Sequence, residues 1–271
     1  MHFVNRIKRY WNLFSTTNVL KTIYFNFKMF PFNVAIKHPI HLAYGVEIIG
    51  AKRGVIVLDK IKSGGVKIGY LKYPMHPGKG MGTLIRIGSG NARLYLGGED
   101  INIYKGCSII LAYPESKLSI GNDTLINQGV MLYCSNSVTI GEHFRCGWDS
   151  QIYDSNFHYV FDEQNHTIAN RTRPVKIGRN VWIANHVTVA TGAQIPSYSI
   201  IAANSVINKD YSEITTKGNF FAGSPAKLKR TGLFRILNLK FEYELNAFFR
   251  ENGEISYKCT HVFDYNNYAT R

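Results

Sequence analysis

Acidic side chains are scarce in this chain of 271 residues: 18 Asp and Glu stand against 32 Lys and Arg, for a formal net charge of +14. That excess favours anionic partners, whether nucleic acid, a phospholipid surface or a phosphorylated ligand. Nucleic acid is set aside because no helix-turn-helix, zinc-finger or RNP-like pattern occurs. Cysteine is scarce too: Cys107, Cys134, Cys146 and Cys259 form no CxxC pair and no dense disulfide framework, so zinc and redox motifs have no support. No apolar run approaches the roughly 18 residues that a membrane span requires. Residues 1–32 lack the unbroken apolar core of a secretory signal, since Arg6, Lys8, Arg9, Lys21 and Lys28 punctuate them, and the expected location is cytoplasmic.

What is present is a repeat. Ile120, Ile126, Leu132, Ile140, Cys146, Ile152, Ile177, Ile183, Val189, Ile195, Ile201 and Ile207 recur mostly six residues apart, and all but Cys146 are aliphatic. A helix advances about 100° per residue, so this period would scatter the side chains over three faces. A single strand stops after about 3–10 residues, so turns must interrupt the run at nearly every repeat. Small residues follow several of the aliphatics, as in Ile120-Gly121, Ile140-Gly141, Ile177-Gly178 and Ile183-Ala184, where the chain must bend beside its core. Hexapeptide periods of this kind mark parallel β-helices, in which each rung buries its aliphatics against the rungs above and below. The expected class is all-β, a solenoid with helical caps at its two ends.

Three regions follow. Residues 1–42 read as an aromatic, helical cap, in which Phe3, Ile7, Trp11 and Phe14 share one side of a helix; the same amphipathic pattern would suit contact with an anionic membrane face. Residues 43–215 carry the repeat, degenerate and interrupted up to Leu118 and regular from there to Asp210. The large break is the loop 153–176, long enough to be suspected of function. In the tail, 216–271, Phe234, Leu237, Phe241, Leu245 and Phe248 predict a helix over 232–250.

Three segments resemble the hexapeptide-repeat acyltransferases, a left-handed parallel β-helix family, and most closely its maltose, galactoside and surface-polysaccharide O-acetyltransferase branch. They are Trp148-Asp149-Ser150-Gln151-Ile152-Tyr153-Asp154-Ser155-Asn156-Phe157-His158, Pro174 to Ile183, and Ile201 to Asp210 followed by Phe221-Ala222-Gly223-Ser224-Pro225-Ala226-Lys227. The resemblance is specific over about 118–230 and looser from 20 to 117. The handedness is implied by the resemblance and not by the period, since it departs from the usual right-handed crossover.

The resemblance implies a homotrimer with acetyl-CoA as co-substrate in the cleft between neighbours, no metal, and a loop histidine that deprotonates the acceptor. His158 matches that histidine, and a side chain titrating near pH 6.5 suits taking a proton from a sugar hydroxyl. Asp154, four residues earlier, is the expected orienter of its ring. Where the family often has a second aspartate this chain has Asn156, which keeps an acceptor without the charge. Where galactoside and maltose enzymes place an acceptor-binding asparagine one rung earlier, this chain has Gly129, with Asn127 two residues away. Asn156, Asn127 and Trp148 are therefore the acceptor-site candidates, with a turn role for Asn127 and a structural role for Trp148 as the alternatives. Ala184-Asn185 falls where a backbone N–H would hold the oxyanion. Asn185, Ala203, Asn208, Lys209, Lys227 and Arg230 fall where the family contacts CoA, whose phosphates suit basic residues; a solvated basic face is the alternative.

The expected activity is acyl-CoA-dependent O-acyl transfer, acetyl by default, to a sugar hydroxyl of a surface polysaccharide or its precursor, in the cytoplasm or peripherally at the inner face of the membrane. An amino sugar, a small alcohol such as serine, or a non-catalytic β-helix scaffold are the alternatives. A metal-dependent hydratase of the same fold would need three converging histidines, and the spacing of His143, His158, His166 and His186 does not resemble that pattern. A sugar nucleotidyltransferase is disfavoured, since no nucleotide-binding α/β half is evident.

Overall fold

A computed structural model describes residues 16–71 and 82–259. Most of the chain winds as an all-β parallel helix with three flat faces, visited in turn. The first face stacks Ile40–Leu42, Val66–Tyr70, Ile101–Tyr104, Leu125–Ile126, Arg145–Cys146, Trp182–Ile183, Ser199–Ile201 and Asn219–Gly223, and Ala226–Arg230 folds back antiparallel on the last of these. The second stacks Val46–Ile49, Thr83–Ile87, Ser108–Leu111, Met131–Cys134, Gln151–Tyr153, Thr188–Val189 and Val206–Ile207. The third stacks Ile56–Leu58, Arg93–Leu96, Lys117–Ile120, Ser137–Ile140, Val175–Ile177 and Gln194–Ile195.

The strand register explains the period. Leu42, Ile68, Ile103, Ile126, Cys146, Ile183, Ile201 and Phe221 form one ladder along the first face. Ile85, Ile109, Leu132, Ile152, Val189 and Ile207 form the second, and Leu96, Ile120, Ile140, Ile177 and Ile195 the third. The twelve hexad positions are all buried. Burial of each such side chain contributes roughly 1.5–3 kcal/mol. The early rungs, degenerate in sequence, keep the same register, because Val66, Ile68, Ile101 and Ile103 pair inward while the insertions leave from the corners.

The N-terminal end is closed by a helix, α1 (Val19–Met29), and a short α2 (Phe32–Ala35). Asn18 caps α1 by accepting the Lys21 N–H at 3.0 Å, and the helix stops at Phe30, before Pro31, where the α conformation is disfavoured. Its inward face is Thr22, Phe25, Asn26 and Met29. Asn26 donates to the Ile40 carbonyl at 2.7 Å and accepts the Ile40 N–H at 3.2 Å, and the Thr22 hydroxyl accepts the Leu42 N–H at 3.0 Å. Two side chains thus satisfy the open edge of the first strand, which would otherwise be a template for another chain. The expected helix through Phe3, Ile7, Trp11 and Phe14 lies outside the described residues.

The C-terminal helix, α3, spans Leu239–Asn252 and not 232–250; Asn238 caps its start and Gly253, at φ 63°, its end. Phe234 and Leu237 belong to the irregular segment before it instead. Phe234 meets the Tyr198 ring edge-on at 6.4 Å, Arg235 lies over Trp182 at 4.9 Å, and Leu237 is buried. Packing against the solenoid overrides the helical spacing there. Tyr257 of the following tail contacts the Phe241 and Phe248 rings of α3 at 6.1 and 5.0 Å.

Candidate active site

Two edges of the solenoid hold the candidate residues. At the edge between the first and second faces, Asn127, Gly147, Ala184 and Ala202 follow the Ile126, Cys146, Ile183 and Ile201 ladder and stack in register. Each N–H in that column donates to the next rung: Asn127 to Cys146 at 3.0 Å, Gly147 to Ile183 at 2.8 Å, Ala184 to Ile201 at 3.0 Å and Ala202 to Phe221 at 2.9 Å. Trp148, Asn185 and Ala203 come next along this edge. The column after them, Gly129, Asp149, His186 and Asn204, turns the corner with φ between 54° and 71°. The structure therefore brings Asn127, Trp148, Ala184, Asn185 and Ala203 together on one edge. Lys227 pairs with Ala222, which continues the same column beyond Ala202, and Lys227 and Arg230 are exposed on the final strand.

The corner is tight. A Cβ added to Gly147 would lie 2.5 Å from both the Ala184 carbonyl carbon and the Asn185 nitrogen. Ser150 braces the next rung by donating to the Ala184 carbonyl at 3.0 Å and accepting the Val187 N–H at 3.1 Å. The Ala184 N–H is committed to Ile201, and among the described residues the Asn185 N–H makes no hydrogen bond. Of the Ala184-Asn185 pair, Asn185 is the donor left available.

His158 lies elsewhere, on the excursion 154–174 that leaves the edge between the second and third faces. Asn208 and Lys209 follow Ile207 at this same edge, Lys209 accepting the Gln194 N–H at 3.2 Å. The base of the excursion is fixed. The Asn156 N–H donates to Arg171 at 2.8 Å and the Arg173 N–H to Asp154 at 3.0 Å. Phe157 packs on Tyr133 and Tyr153 with ring centroids at 4.9 and 5.7 Å. Arg171 donates to the Phe157 carbonyl at 3.0 Å and the Tyr113 hydroxyl at 2.8 Å, and lies over the Tyr113 and Tyr159 rings at 5.3 and 5.0 Å. Beyond that base, a two-residue hairpin pairs Phe161–Asp162 with Thr167–Ile168, and Tyr159, Val160, Phe161 and Ile168 are exposed. Arg171 and the two tyrosines escape a motif search because Arg171 and Tyr113 are 58 positions apart. Asn156 is exposed beside His158 and its carbonyl accepts the His158 N–H at 2.7 Å.

Asp154 does not orient His158. It is fully buried, and its carboxylate accepts the N–H groups of Ser135, Asn136 and Ser137 at 2.6, 2.7 and 2.7 Å, holding the turn one rung below. A buried carboxylate is tolerated when such donors surround it, and these leave no place for an imidazole. The His158 ring is exposed and, among the described residues, has no hydrogen-bond or ion-pair partner. A carboxylate–imidazole contact does occur between Asp123 and His143, at 2.9 Å. The buried Arg145 guanidinium holds both Asp123 carboxylate oxygens at 2.8 Å. One rung separates Asp123 from His143, so a column alignment of the repeat would have found the pair. His143, His158, His166 and His186 are dispersed, and among the described residues no three His, Cys, Asp or Glu side chains gather as metal ligands.

Comparison with known proteins places the repeat. Residues 174–209 match the model of the bacterial transferase hexapeptide (six repeats). The chain is 30% identical over 95 residues to galactoside O-acetyltransferase of Escherichia coli K12, covering 35% of this chain and 46% of that protein. It is 28% identical over 113 residues to the candidate colanic acid biosynthesis acetyltransferase WcaF of the same strain, covering 41% and 59%. A hexapeptide-repeat acetyltransferase of Vibrio cholerae O1 biovar eltor, crystallised with acetyl coenzyme A, is 30% identical over 42% of this chain and 60% of that one, with a TM-score of 0.36. The chain spans between 46% and 59% of the length of the curated relatives it matches.

Proposed function

We propose that the chain is an acyl-CoA-dependent O-acetyltransferase acting on a sugar hydroxyl of a surface polysaccharide or its precursor, on the cytoplasmic side of the membrane. The observation that carries this reading is the transferase hexapeptide segment standing directly after an excursion that presents an exposed, unpartnered histidine. The names of the sequence relatives, galactoside O-acetyltransferase and WcaF, point to the same chemistry and to a saccharide acceptor.

In this reading the acceptor hydroxyl oxygen attacks the thioester carbonyl while an unprotonated His158 ring nitrogen takes its proton. The negative charge passes to the carbonyl oxygen, which the Asn185 N–H is free to hold. Collapse expels the CoA thiolate, which the His158 imidazolium can reprotonate, leaving an acetyl ester. The CoA candidates Asn185 and Ala203 share one edge with the acceptor candidates Asn127 and Trp148, whereas Asn208 and Lys209 share the other with Asn156 and His158, so both sets of contacts are divided between two edges of one chain. Lys227 and Arg230, with Asn208 and Lys209, offer cations and amides toward the CoA phosphates at the C-terminal end.

Two edges of one chain meet when copies pack side by side, and the apolar Tyr159, Val160, Phe161 and Ile168 offer surface for a neighbour to cover. A homotrimer with sites between chains accounts for both features. The test is a coupled assay of CoA thiol release with galactosides and polysaccharide fragments as acceptors, followed by mass analysis of the acetylated sugar. His158→Ala should remove turnover with the true acceptor; turnover that persists would reject His158 as the base.

A further inference from the structure

The helix that closes the N-terminal end of the solenoid is apolar on both sides. α1 spends Thr22, Phe25, Asn26 and Met29 on the first rung. Its opposite side carries Leu20, Ile23, Tyr24 and Phe27, with Leu20 82% and Tyr24 65% exposed. α2 and the residue after it extend this surface with Phe32 and Ile36, 69% and 54% exposed, and the Phe27 and Phe32 rings meet at 5.9 Å. A soluble helix normally turns a polar side to water, and a contiguous exposed apolar patch marks an interaction surface.

The patch is framed by cations. Lys28 lies over the Tyr24 ring at 5.9 Å, and Arg53 donates to the Phe30 carbonyl at 3.3 Å, at the end of the same helix. Lys37 and Lys52 are exposed nearby in the sequence. Across residues 16–58, Lys21, Lys28, Lys37, Lys52 and Arg53 stand against Glu47 as the lone carboxylate. The combination asks for a partner that is apolar in depth and anionic at its surface.

We propose that the outer side of α1 and α2 docks on an anionic phospholipid bilayer, with α1 lying along the interface and the solenoid standing away from it. Leu20, Tyr24, Phe27 and Phe32 enter the region below the headgroups, while Lys28 and Lys37 meet the lipid phosphates. The contact is peripheral, since no helix among the described residues is long and apolar enough to cross a membrane. A protein partner would have to supply both an apolar groove and an acidic rim. The bilayer supplies the two together, and the net charge of +14 draws the chain toward it. The proposal stands apart from acyl transfer and concerns where the chain works.

The test is sedimentation of the full chain with phosphatidylcholine vesicles, with and without phosphatidylserine. The chain should pellet with the phosphatidylserine vesicles at low salt and be released at high salt. Leu20→Ser, Tyr24→Ser and Phe27→Ser combined should weaken that partition by about tenfold or more. Lys28→Glu with Lys37→Glu, both at exposed positions, should do the same and stays informative if the first variant misfolds. Full recovery in the supernatant with the phosphatidylserine vesicles at low salt would overturn the proposal. Vesicle binding unchanged in both variants would assign the contact to another part of the chain. Concentration-dependent self-association abolished by the same variants, without vesicle binding, would make the patch a contact between copies.

Discussion

At the scale of single residues, the fold separates Asp154 from the proposed base His158, four positions apart in the sequence. Asp154 holds three backbone N–H groups of the 135–137 turn, so Asp154→Asn replaces an acceptor oxygen with a donor amide facing donors. It should destabilise the fold by about 2 kcal/mol or more, read as a lowered denaturant midpoint. Retained stability with lost turnover would return Asp154 to the catalytic machinery. His158→Ala should leave the melting temperature unchanged, because its ring is exposed, while lowering turnover by roughly 10²–10⁴. His143 is the control: loss of its contact with Asp123 should cost stability and leave turnover intact. That His158 sits on the long loop was legible in the sequence, and the fate of Asp154 was not. A buried turn one rung below claims it, and that proximity exists only once the rungs are stacked.

At the scale of elements, the corner made by Gly147, Ala184 and Asn185 fixes the proposed oxyanion donor. Gly147→Ala would force the Ala184–Asn185 peptide to move, since backbone atoms stand 2.5 Å from the new Cβ. Turnover should fall by about 10² while the strand signature in circular dichroism persists; unchanged kinetics would remove Asn185 from the mechanism. Of the small residues at this corner, Ala184 was visible in the sequence as the small residue after Ile183, because close backbone approach leaves a compositional mark, whereas Gly147 follows the one non-aliphatic hexad position, Cys146. The loop anchor made by Arg171, Tyr113 and Tyr159 left none, and the start of α3 was misplaced because Phe234 and Leu237 satisfy helical spacing while packing on the solenoid.

The ladder thiols give a second check at this scale. Burial pushes Cys107 and Cys134 up to about 12, and Cys146 higher still, so none offers a thiolate near neutral pH. An Ellman titration of the native protein should read Cys259, which is exposed, and reach all four cysteines only after unfolding. Fast reaction of all four in the native state would contradict the packing of the rungs.

At the scale of the whole molecule, the hexad spacing alone foretold the parallel helix, since a period incompatible with one helix face or one uninterrupted strand leaves few other architectures. The chain's assembly is a different matter, because solenoid faces can be solvated or paired without changing the internal ladder. The account requires donor contacts and the His158 loop to meet between copies, so sedimentation equilibrium should report trimers, with Tyr159→Ser and Phe161→Ser weakening them. The most direct test of the central claim is calorimetric titration of acetyl-CoA into the full chain, which needs no knowledge of the acceptor. The account predicts saturable binding near one site per chain, weakened by Lys227→Ala or Arg230→Ala. No binding of acetyl-CoA, longer acyl-CoA or free CoA would contradict acyl transfer and leave the solenoid as a scaffold.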